Sequence, residues 1–235
     1  MIIKITQLPK LEVKTMSLAR IYAQDNAFSG SVLENDLWIQ KDGEEITAVI
    51  SSDGGSMNVW CNGADYSELR EFISVVCPSV IFTEYENAEP LGIVPDRIRN
   101  MLTKKAHFSP FEVEDYTLRE LYNGLDNGSD VDIHLPDFEV FAPDVSHRLR
   151  HNAARTVVNK YGAALAFTYF GGAVMSGIAL SPEFRGKGYG SALLTQLLSR
   201  CDGDFFVAAN DQNAKFYLRN GFTALGKICF GKQEI

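Results

Sequence analysis

A glycine-rich turn between an apolar run and a helix signal is the feature of this sequence that most restricts its fold. The apolar run extends from Ala173 to Leu180, and apolar residues at helical spacing follow the turn, which predicts a strand–turn–helix unit. The turn itself reads Arg185-Gly186-Lys187-Gly188-Tyr189-Gly190-Ser191. Glycines let the backbone approach a ligand closely, and the first N–H groups of a helix lie at its positive end without internal acceptors. The sequence therefore predicts a phosphate-binding turn over residues 185–191.

Length, composition and charge narrow the classes of function. The chain has 235 residues, of which 46% are hydrophobic and 22% charged, which is enough for one large domain or two small ones. Its net charge of −8 and isoelectric point near 5.0 lack the basic footprint of a nucleic-acid-binding protein. An acidic surface is compatible with a cationic amine substrate.

Cysteine usage and hydropathy indicate the compartment. The four cysteines include no C-x-x-C pair, which predicts buried apolar residues in a reducing cytoplasm rather than a disulfide or metal framework, at Cys61, Cys77, Cys201 and Cys229. The N-terminal apolar run is too short for a signal peptide. The uncharged segment from Gly162 to Leu180 approaches membrane-spanning length, but Gly171 and Gly172 divide it into two strand-like halves. We therefore predict a β-hairpin in a cytoplasmic protein with no membrane partner.

The order of the predicted elements is repeated in the two halves of the chain. The first half predicts three strands, a helix and a fourth strand, with turns at 42–43 and 53–55, over residues 37–40, 46–50, 57–61, 65–76 and 80–83. The second half predicts the same order over residues 156–158, 165–170, 174–180, 191–201 and 205–209. Between them, from Glu86 to His107, two prolines, one glycine and the basic pair Lys104-Lys105 predict a linker. The pattern predicts an α/β (α+β) protein of two domains in tandem, at residues 1–106 including the linker and 107–235.

A second motif follows the strand at 205–209. Asn210 ends that strand, and residues 213–220 have helical spacing, with Ala214, Tyr217 and Leu218 on one face. Gly221 lies where a helix ends in the left-handed conformation. Asn210 can also be interpreted as the residue that caps this helix.

Two further patterns carry weaker signals. His147 and His151 are four residues apart on a predicted helix, as in zinc sites, but two arginines accompany them and the motif glutamate is missing, so no metal is predicted. Residues 221–228 resemble a nucleotide P-loop, but Ile228 replaces the required hydroxyl and no helix signal follows. The helix with His147 and His151 is interpreted as a solvated face or as part of a substrate-recognition surface.

Taken in order, these motifs resemble the GNAT superfamily of acyl-CoA-dependent N-acetyltransferases. The residues that carry the resemblance are I-A-L-S-P at 178–182, R-G-K-G-Y-G-S at 185–191, Asn210, and N-A-K-F-Y-L-R-N-G-F at 213–222. The motifs cover about residues 173–230, and the resemblance in fold extends back to about residue 108. The repeated order of elements resembles tandem GNAT proteins in which one copy keeps the cofactor site, with two mixed-sheet domains and helices on both faces of each sheet.

The resemblance implies a role for each residue of the motifs. Backbone groups of Ile178, Ala179 and Leu180 would bind the pantetheine arm of acetyl-CoA as an added strand. Asn210 would bind the cofactor or an ordered water, and Tyr217 would be the general acid for the departing thiolate. The diphosphate would bind the backbone N–H groups of the turn, with Arg185 or Lys187 supplying positive charge. The turn consists of Arg185, Gly186, Lys187, Gly188, Tyr189, Gly190 and Ser191.

The sequence also departs from the family pattern. Many members carry a glutamate as general base in the strand before the asparagine, whereas residues 205–207 here have no carboxylate. Glu183, His147, His151 and the C-terminal carboxylate are alternative bases, or the amine arrives neutral. In the first half, residues 61–65 lack the repeated glycines, and Asp65 would repel a diphosphate. The first copy is therefore predicted not to bind CoA.

The resemblance implies an acetyl-CoA-dependent N-acetyltransferase acting on a small primary amine or amino acid. Transfer would be direct, within a ternary complex of acyl-CoA, amine acceptor and enzyme, without a metal. Two alternatives stay open: a non-enzymatic, regulatory CoA-binding module, because the strand glutamate is missing, and a protein N-terminal acetyltransferase, which would need an open groove. A homodimer is compatible with the sequence.

Overall fold

The computed structural model describes residues 1–6, 36–52, 55–110, 115–126, 135–169 and 171–234. Its strands are β1 Ile2–Ile5, β2 Asp36–Asp42, β3 Glu45–Ser52, β4 Ser56–Cys61, β5 Val80–Glu84, β6 Ile93–Ala106, β7 Ala154–Asn159, β8 Gly162–Tyr169, β9 Gly172–Leu180, β10 Gly203–Ala209 and β11 Thr223–Gln233. Its α-helices are α1 Tyr66–Val76, α2 Tyr85–Ala88, α3 Leu118–Asp126, α4 Phe138–Arg150, α5 Tyr189–Ser199 and α6 Asp211–Arg219, and a 3₁₀ turn covers Pro182–Phe184.

The chain forms two compact units that are not simply consecutive in sequence. The first unit contains Met1–Leu102, Ala208–Leu218 and Thr223–Ile235, and the second contains Thr103–Val207 and Arg219–Phe222. The first change of unit, after Leu102, lies close to the predicted boundary at 106/107. However, β11 and most of α6 group with the first unit although they come late in the sequence.

The first unit is a mixed sheet in the order β1-β2-β3-β4-β5-β11. Strands β2, β3 and β4 are antiparallel neighbours, β5 is parallel to β4, and β11 is antiparallel to β5. This arrangement confirms the predicted order of three strands, a helix and a fourth strand, and shows that the fourth strand is parallel to the third. Helix α1 buries Leu69 and Ile73 in a core with side chains of several strands, including Ile50, Val59 and Ile81. The predicted turn at 53–55 lies partly outside the described residues.

The second unit repeats this arrangement in the order β10-β9-β8-β7. Strands β7, β8 and β9 are antiparallel, and β10 is parallel to β9. The predicted hairpin is confirmed, because Tyr169 pairs with Gly172 and Thr168 with Ala173. Phe170 lies outside the described residues, and no helix in the described part of the chain is long and apolar enough to cross a membrane. Helices α3 and α4 form a core with β7 and β8, which buries Leu121, Leu125, Phe141 and Val145.

The predicted linker over residues 86–107 is wrong. Residues 85–88 form α2, and residues 93–106 form the 14-residue strand β6. The prolines and charges of this segment suggested a loop, yet the strand buries Ile93, Met101, Leu102 and Ala106 while its charged residues stay at least partly exposed. The mixed α/β fold class is confirmed, with a strand in place of the expected linker.

Candidate functional site

The predicted glycine turn lies between β9 and α5, as the sequence indicates. After the 3₁₀ turn, residues 185–188 are exposed, and α5 begins at Tyr189. Gly186 and Gly188 have φ angles of +73° and +85°, and a Cβ added at either would meet no atom within 4 Å. Glycine is therefore favoured here by the left-handed backbone rather than by crowding.

The start of α5 presents backbone donors to solvent. The N–H groups of Ser191 and Ala192 donate to the Gly188 carbonyl at 3.1 and 3.3 Å. By contrast, the N–H groups of Gly188, Tyr189 and Gly190 donate to no acceptor in the described part of the chain. Three N–H donors at the positive end of an 11-residue helix suit an anion such as a phosphate.

Two cationic side chains lie against this turn. Arg185 donates from Nε to the Leu180 carbonyl at 3.3 Å, and Lys187 donates from Nζ to the Glu183 carbonyl at 2.8 Å. Both residues are exposed. Long, exposed cationic side chains of this kind can reorient, so each cation can turn toward an anion at the start of α5.

The strand before the turn leaves part of one edge open. The ladder between β9 and β10 comprises three pairs and ends at Val174 and Phe206. Directly after it, Leu165 of β8 pairs with Gly177 while Ala166 pairs with Met175, so the residue between them is a β-bulge. A bulge ends regular pairing and turns the strand, which frees the later half of β9 on this side.

The hydrogen-bond pattern shows which residues of β9 face the open edge. The Ser181 N–H donates to the Tyr161 carbonyl at 3.0 Å, toward β8. Because bonding direction alternates along an antiparallel strand, Ala179 also bonds toward β8, whereas Ile178 and Leu180 point their N–H and C=O groups the other way. Of the three residues predicted to bind pantetheine through the backbone, the register thus favours Ile178 and Leu180.

Asn210 and Tyr217 belong to the first unit. Asn210 directly precedes α6, and Tyr217 lies within it. Asn210 Oδ1 accepts the Asn213 N–H at 2.7 Å, and the Asn210 carbonyl accepts the Ala214 N–H at 2.8 Å. Asn210 is therefore the N-cap of α6, which is the alternative interpretation of this residue. Because Oδ1 accepts the capping hydrogen bond, Nδ2 is the side-chain atom of Asn210 that would contact a cofactor.

Tyr217 is a buried phenol. Its side chain is 5% exposed and has an edge contact with Phe216, with ring centroids 5.1 Å apart. Burial raises the pKa of Tyr217 above its ordinary value, because the phenolate would lose its hydration. The hydroxyl therefore keeps its proton at neutral pH, as a general acid requires.

Comparison with known proteins identifies the part of the chain that carries the glycine turn. Residues 151–224 match the family model of the acetyltransferase (GNAT) domain, a range that includes the open edge of β9, the glycine turn, α5 and α6. This chain contains a GNAT domain. A GNAT domain supports acyl-CoA-dependent acetyl transfer, and the protein is accordingly an acyltransferase. No curated protein shows significant similarity to the sequence.

Solved structures show that the GNAT fold accounts for nearly the whole chain. A GCN5-related N-acetyltransferase from Sphaerobacter thermophilus is 15% identical with a TM-score of 0.56, and the match covers 99% of this chain and 95% of that one. One from Kribbella flavida is 11% identical with a TM-score of 0.56, covering 94% and 98%. A tandem GNAT protein from the clavulanic acid biosynthesis pathway is 11% identical with a TM-score of 0.48, covering 88% of this chain and 86% of that one.

The first unit has the GNAT order of elements without an open phosphate-binding turn. At the start of α1, Asp65 Oδ1 accepts the N–H groups of Ser67 and Glu68 at 3.0 and 3.2 Å. The Asp65 N–H donates to Oε1 of the buried Gln40 at 2.8 Å. Protein acceptors thus already use the donors that would hold a diphosphate, and the Asp65 carboxylate repels one.

The candidate general bases occupy different places in the second unit. Glu183 is exposed in the 3₁₀ turn. His147 and His151 lie on and directly after α4, with ring centroids 4.4 Å apart. The C-terminal carboxylate lies outside the described residues.

Sequence motifs did not identify two residues that contact a predicted site residue or its immediate neighbours. Asn100 of β6 donates from Nδ2 to the Ala209 carbonyl at 3.3 Å and to Asp211 Oδ1 at 2.8 Å, on either side of Asn210. Tyr161 stacks on Tyr189 with ring centroids 4.0 Å apart. Neither belongs to a motif, because both act through contacts that only the folded chain creates.

Proposed function

We propose that the protein is an acetyl-CoA-dependent N-acetyltransferase that acts on a small primary amine or an amino acid. The observation that carries this proposal is the set of three N–H groups at residues 188–190 that have no acceptor in the described part of the chain. They lie in the turn that comes after a strand with an open edge, so one ligand with an anionic part and an amide-bearing arm fits both features.

The proposed roles follow the chemistry of acetyl-CoA. The diphosphate would accept hydrogen bonds from residues 188–190, with Arg185 and Lys187 supplying positive charge. The pantetheine amides would bond the backbone of Ile178 and Leu180, as an added strand does. Asn210 would bind the cofactor through its side-chain N–H group.

The proposed transfer is direct and leaves no covalent intermediate on the protein. The amine nitrogen attacks the thioester carbonyl, the C–S bond breaks, and the sulfur leaves with its electron pair. A backbone N–H of β9 would stabilise the oxyanion that forms. Tyr217, which burial keeps protonated, would give a proton to the departing thiolate. Because thiols ionise at moderate pH, this proton transfer assists a leaving group that is already adequate.

The attacking amine must lose its proton before or during the attack. Residues 205–209 of β10 carry no carboxylate, so this part of the strand supplies no general base. The amine therefore enters as the free base, or transfers its proton to Glu183, His147 or His151. We expect the rate to rise with pH as the free-base fraction of the amine increases.

The experiment is a titration with acetyl-CoA followed by an assay for free thiol across a panel of small amines and amino acids. The proposal expects binding, and release of CoA that depends on the amine. Binding of acetyl-CoA without release of thiol with any acceptor would contradict the proposed transfer and leave only a CoA-binding role. Release only with peptide N-termini would indicate a protein N-terminal acetyltransferase. Absence of acetyl-CoA binding would contradict the proposal.

A further inference from the structure

Three aromatic rings pack together beside the glycine turn, and we call them the aromatic clamp: Tyr161, Phe184 and Tyr189. The rings of Tyr161 and Tyr189 are stacked, with centroids 4.0 Å apart and planes at 14°. Phe184 presents its edge to Tyr161 at 5.1 Å and to Tyr189 at 5.8 Å. Offset stacking and edge contacts of this kind are favourable geometries for aromatic pairs.

The aromatic clamp closes the ends of the exposed turn. Phe184 directly precedes residue 185, and Tyr189 directly follows residue 188. The four residues between them are exposed and include two glycines in the left-handed region. A segment of this kind samples many conformations unless its ends are held. Here both ends contact the same ring, that of Tyr161.

Tyr161 is itself fixed by its backbone. Its N–H donates to Asn159 Oδ1 at 2.9 Å, and its carbonyl accepts the Ser181 N–H at 3.0 Å. These bonds tie the tip of the β7–β8 hairpin to the end of β9. Tyr161 is also half-buried. Its backbone bonds and its burial therefore both restrict the movement of the ring.

We propose that Tyr161 is a positioning residue for the diphosphate of the acyl donor. By holding Phe184 and Tyr189, it keeps the turn in the conformation that leaves the N–H groups of residues 188–190 available to an anion. A turn that is ordered before binding loses less conformational entropy when the anion arrives. This inference rests on the proposed function, because it assigns Tyr161 a role in binding CoA.

A positioning role has a consequence that a general loss of stability does not. Tyr161→Ala removes the ring that holds both ends of the turn, so affinity for the diphosphate should fall. The pantetheine arm binds β9 through backbone groups, so its affinity should not change. Tyr161→Phe keeps the ring and should bind both ligands as the unchanged protein does.

The test is calorimetric titration of the full chain with CoA and with S-acetylpantetheine, which lacks the diphosphate. We expect Tyr161→Ala to weaken CoA binding about tenfold, a change of the size that two lost ring contacts produce, with S-acetylpantetheine within twofold of the unchanged protein. Tyr122→Ala is the matched control, because Tyr122 makes edge contacts with Phe138 and Phe141 in the same unit, away from the turn. This variant should bind CoA normally.

Each outcome bears on a different claim. Unchanged CoA affinity in Tyr161→Ala, or an equal loss for both ligands, would overturn the positioning role while leaving the proposed function in place. A tenfold loss in the Tyr122→Ala control would overturn it as well, because the effect would not be specific to the turn. Failure of the unchanged protein to bind CoA would contradict the proposed function, and this inference with it.

Discussion

Gln40 accepts a hydrogen bond from the Asp65 N–H at 2.8 Å, at the first turn of α1 in the first unit. The same Gln40 side chain donates to Glu68 at 2.8 Å and to the Asp65 carbonyl at 3.0 Å. The buried Gln40 side chain thus provides hydrogen-bond partners for backbone and side-chain groups at the start of α1. The corresponding start of α5 in the second unit leaves residues 188–190 without an acceptor in the described chain. The two copies therefore differ in whether the helix start remains available to an anion.

Replacing Gly188 tests the phosphate-binding turn. Gly188→Asp adds a carboxylate beside the three N–H donors and forces a non-glycine residue to φ near +85°, so CoA affinity should fall at least 100-fold. Calorimetry measures the affinity. Gly43→Asp is the matched control, because Gly43 also has positive φ, at +57°, and no atom within 4 Å of an added Cβ. Unchanged CoA affinity in Gly188→Asp would remove the turn from the cofactor site.

Replacing Tyr217 tests the general acid. Tyr217→Phe removes the hydroxyl and keeps the buried ring, so turnover should fall by about 10²–10³-fold while CoA affinity changes little. Steady-state assays at saturating acetyl-CoA give the turnover. Tyr169→Phe is the control, since Tyr169 is also buried and its hydroxyl donates to the Asp204 carbonyl at 3.2 Å. Full activity of Tyr217→Phe would exclude Tyr217 as the acid.

Replacing Gln40 tests whether the first unit is a structural copy. Gln40→Ala removes the hydrogen bonds that the Gln40 side chain makes with Glu68, Thr47 and the Asp65 N–H, so the free energy of unfolding should fall by about 2–3 kcal/mol. Urea denaturation measures the loss. Gln196→Ala removes an exposed amide that accepts a bond from Asn159 at 3.2 Å, and should cost no more than about 0.5 kcal/mol. Both variants should still bind one CoA per chain, and a second CoA in the unchanged protein would contradict the account.

Alkaline pH should destabilise the fold through its buried thiols. Burial raises the pKa of Cys201 to about 12 and that of Cys229 to about 11, from an ordinary value of 9.0. Above pH 9 the unfolded chain loses these protons and the folded chain keeps them, so stability present below pH 9 is lost as pH rises toward 11. The melting temperature measured from pH 8 to 11 should fall, and less steeply in Cys229→Ala. A constant or rising melting temperature would contradict the assignment of both thiols as buried.

Much of the fold could be predicted from local patterns. The strand–turn–helix unit at 172–199 and the repeat of this order at 56–76 follow from apolar periodicity and helix caps, and the structure confirms them. Strand β6 was missed because Pro95 and its charged neighbours look like a loop in isolation. Its strand conformation depends on neighbouring strands, which a local pattern does not contain.

The site was only partly predictable for a related reason. The glycines of the turn are recognisable because left-handed backbone selects glycine wherever it occurs. The Tyr161 and Asn100 contacts join residues far apart in sequence, and Gln40 reaches Asp65 across the first unit. Such contacts depend on register and side-chain direction, so they become visible only in the folded chain. No sequence motif identifies the residues that bind the amine acceptor.

The most direct test of the account is the electron density of crystals grown with acetyl-CoA. The account predicts one CoA per chain, with diphosphate oxygens within hydrogen-bond distance of the N–H groups of Gly188, Tyr189 and Gly190. It also predicts pantetheine amides bonded to Ile178 and Leu180. Diphosphate density at residues 61–65 of the first unit, or at any position that leaves the start of α5 without an anion, would contradict it.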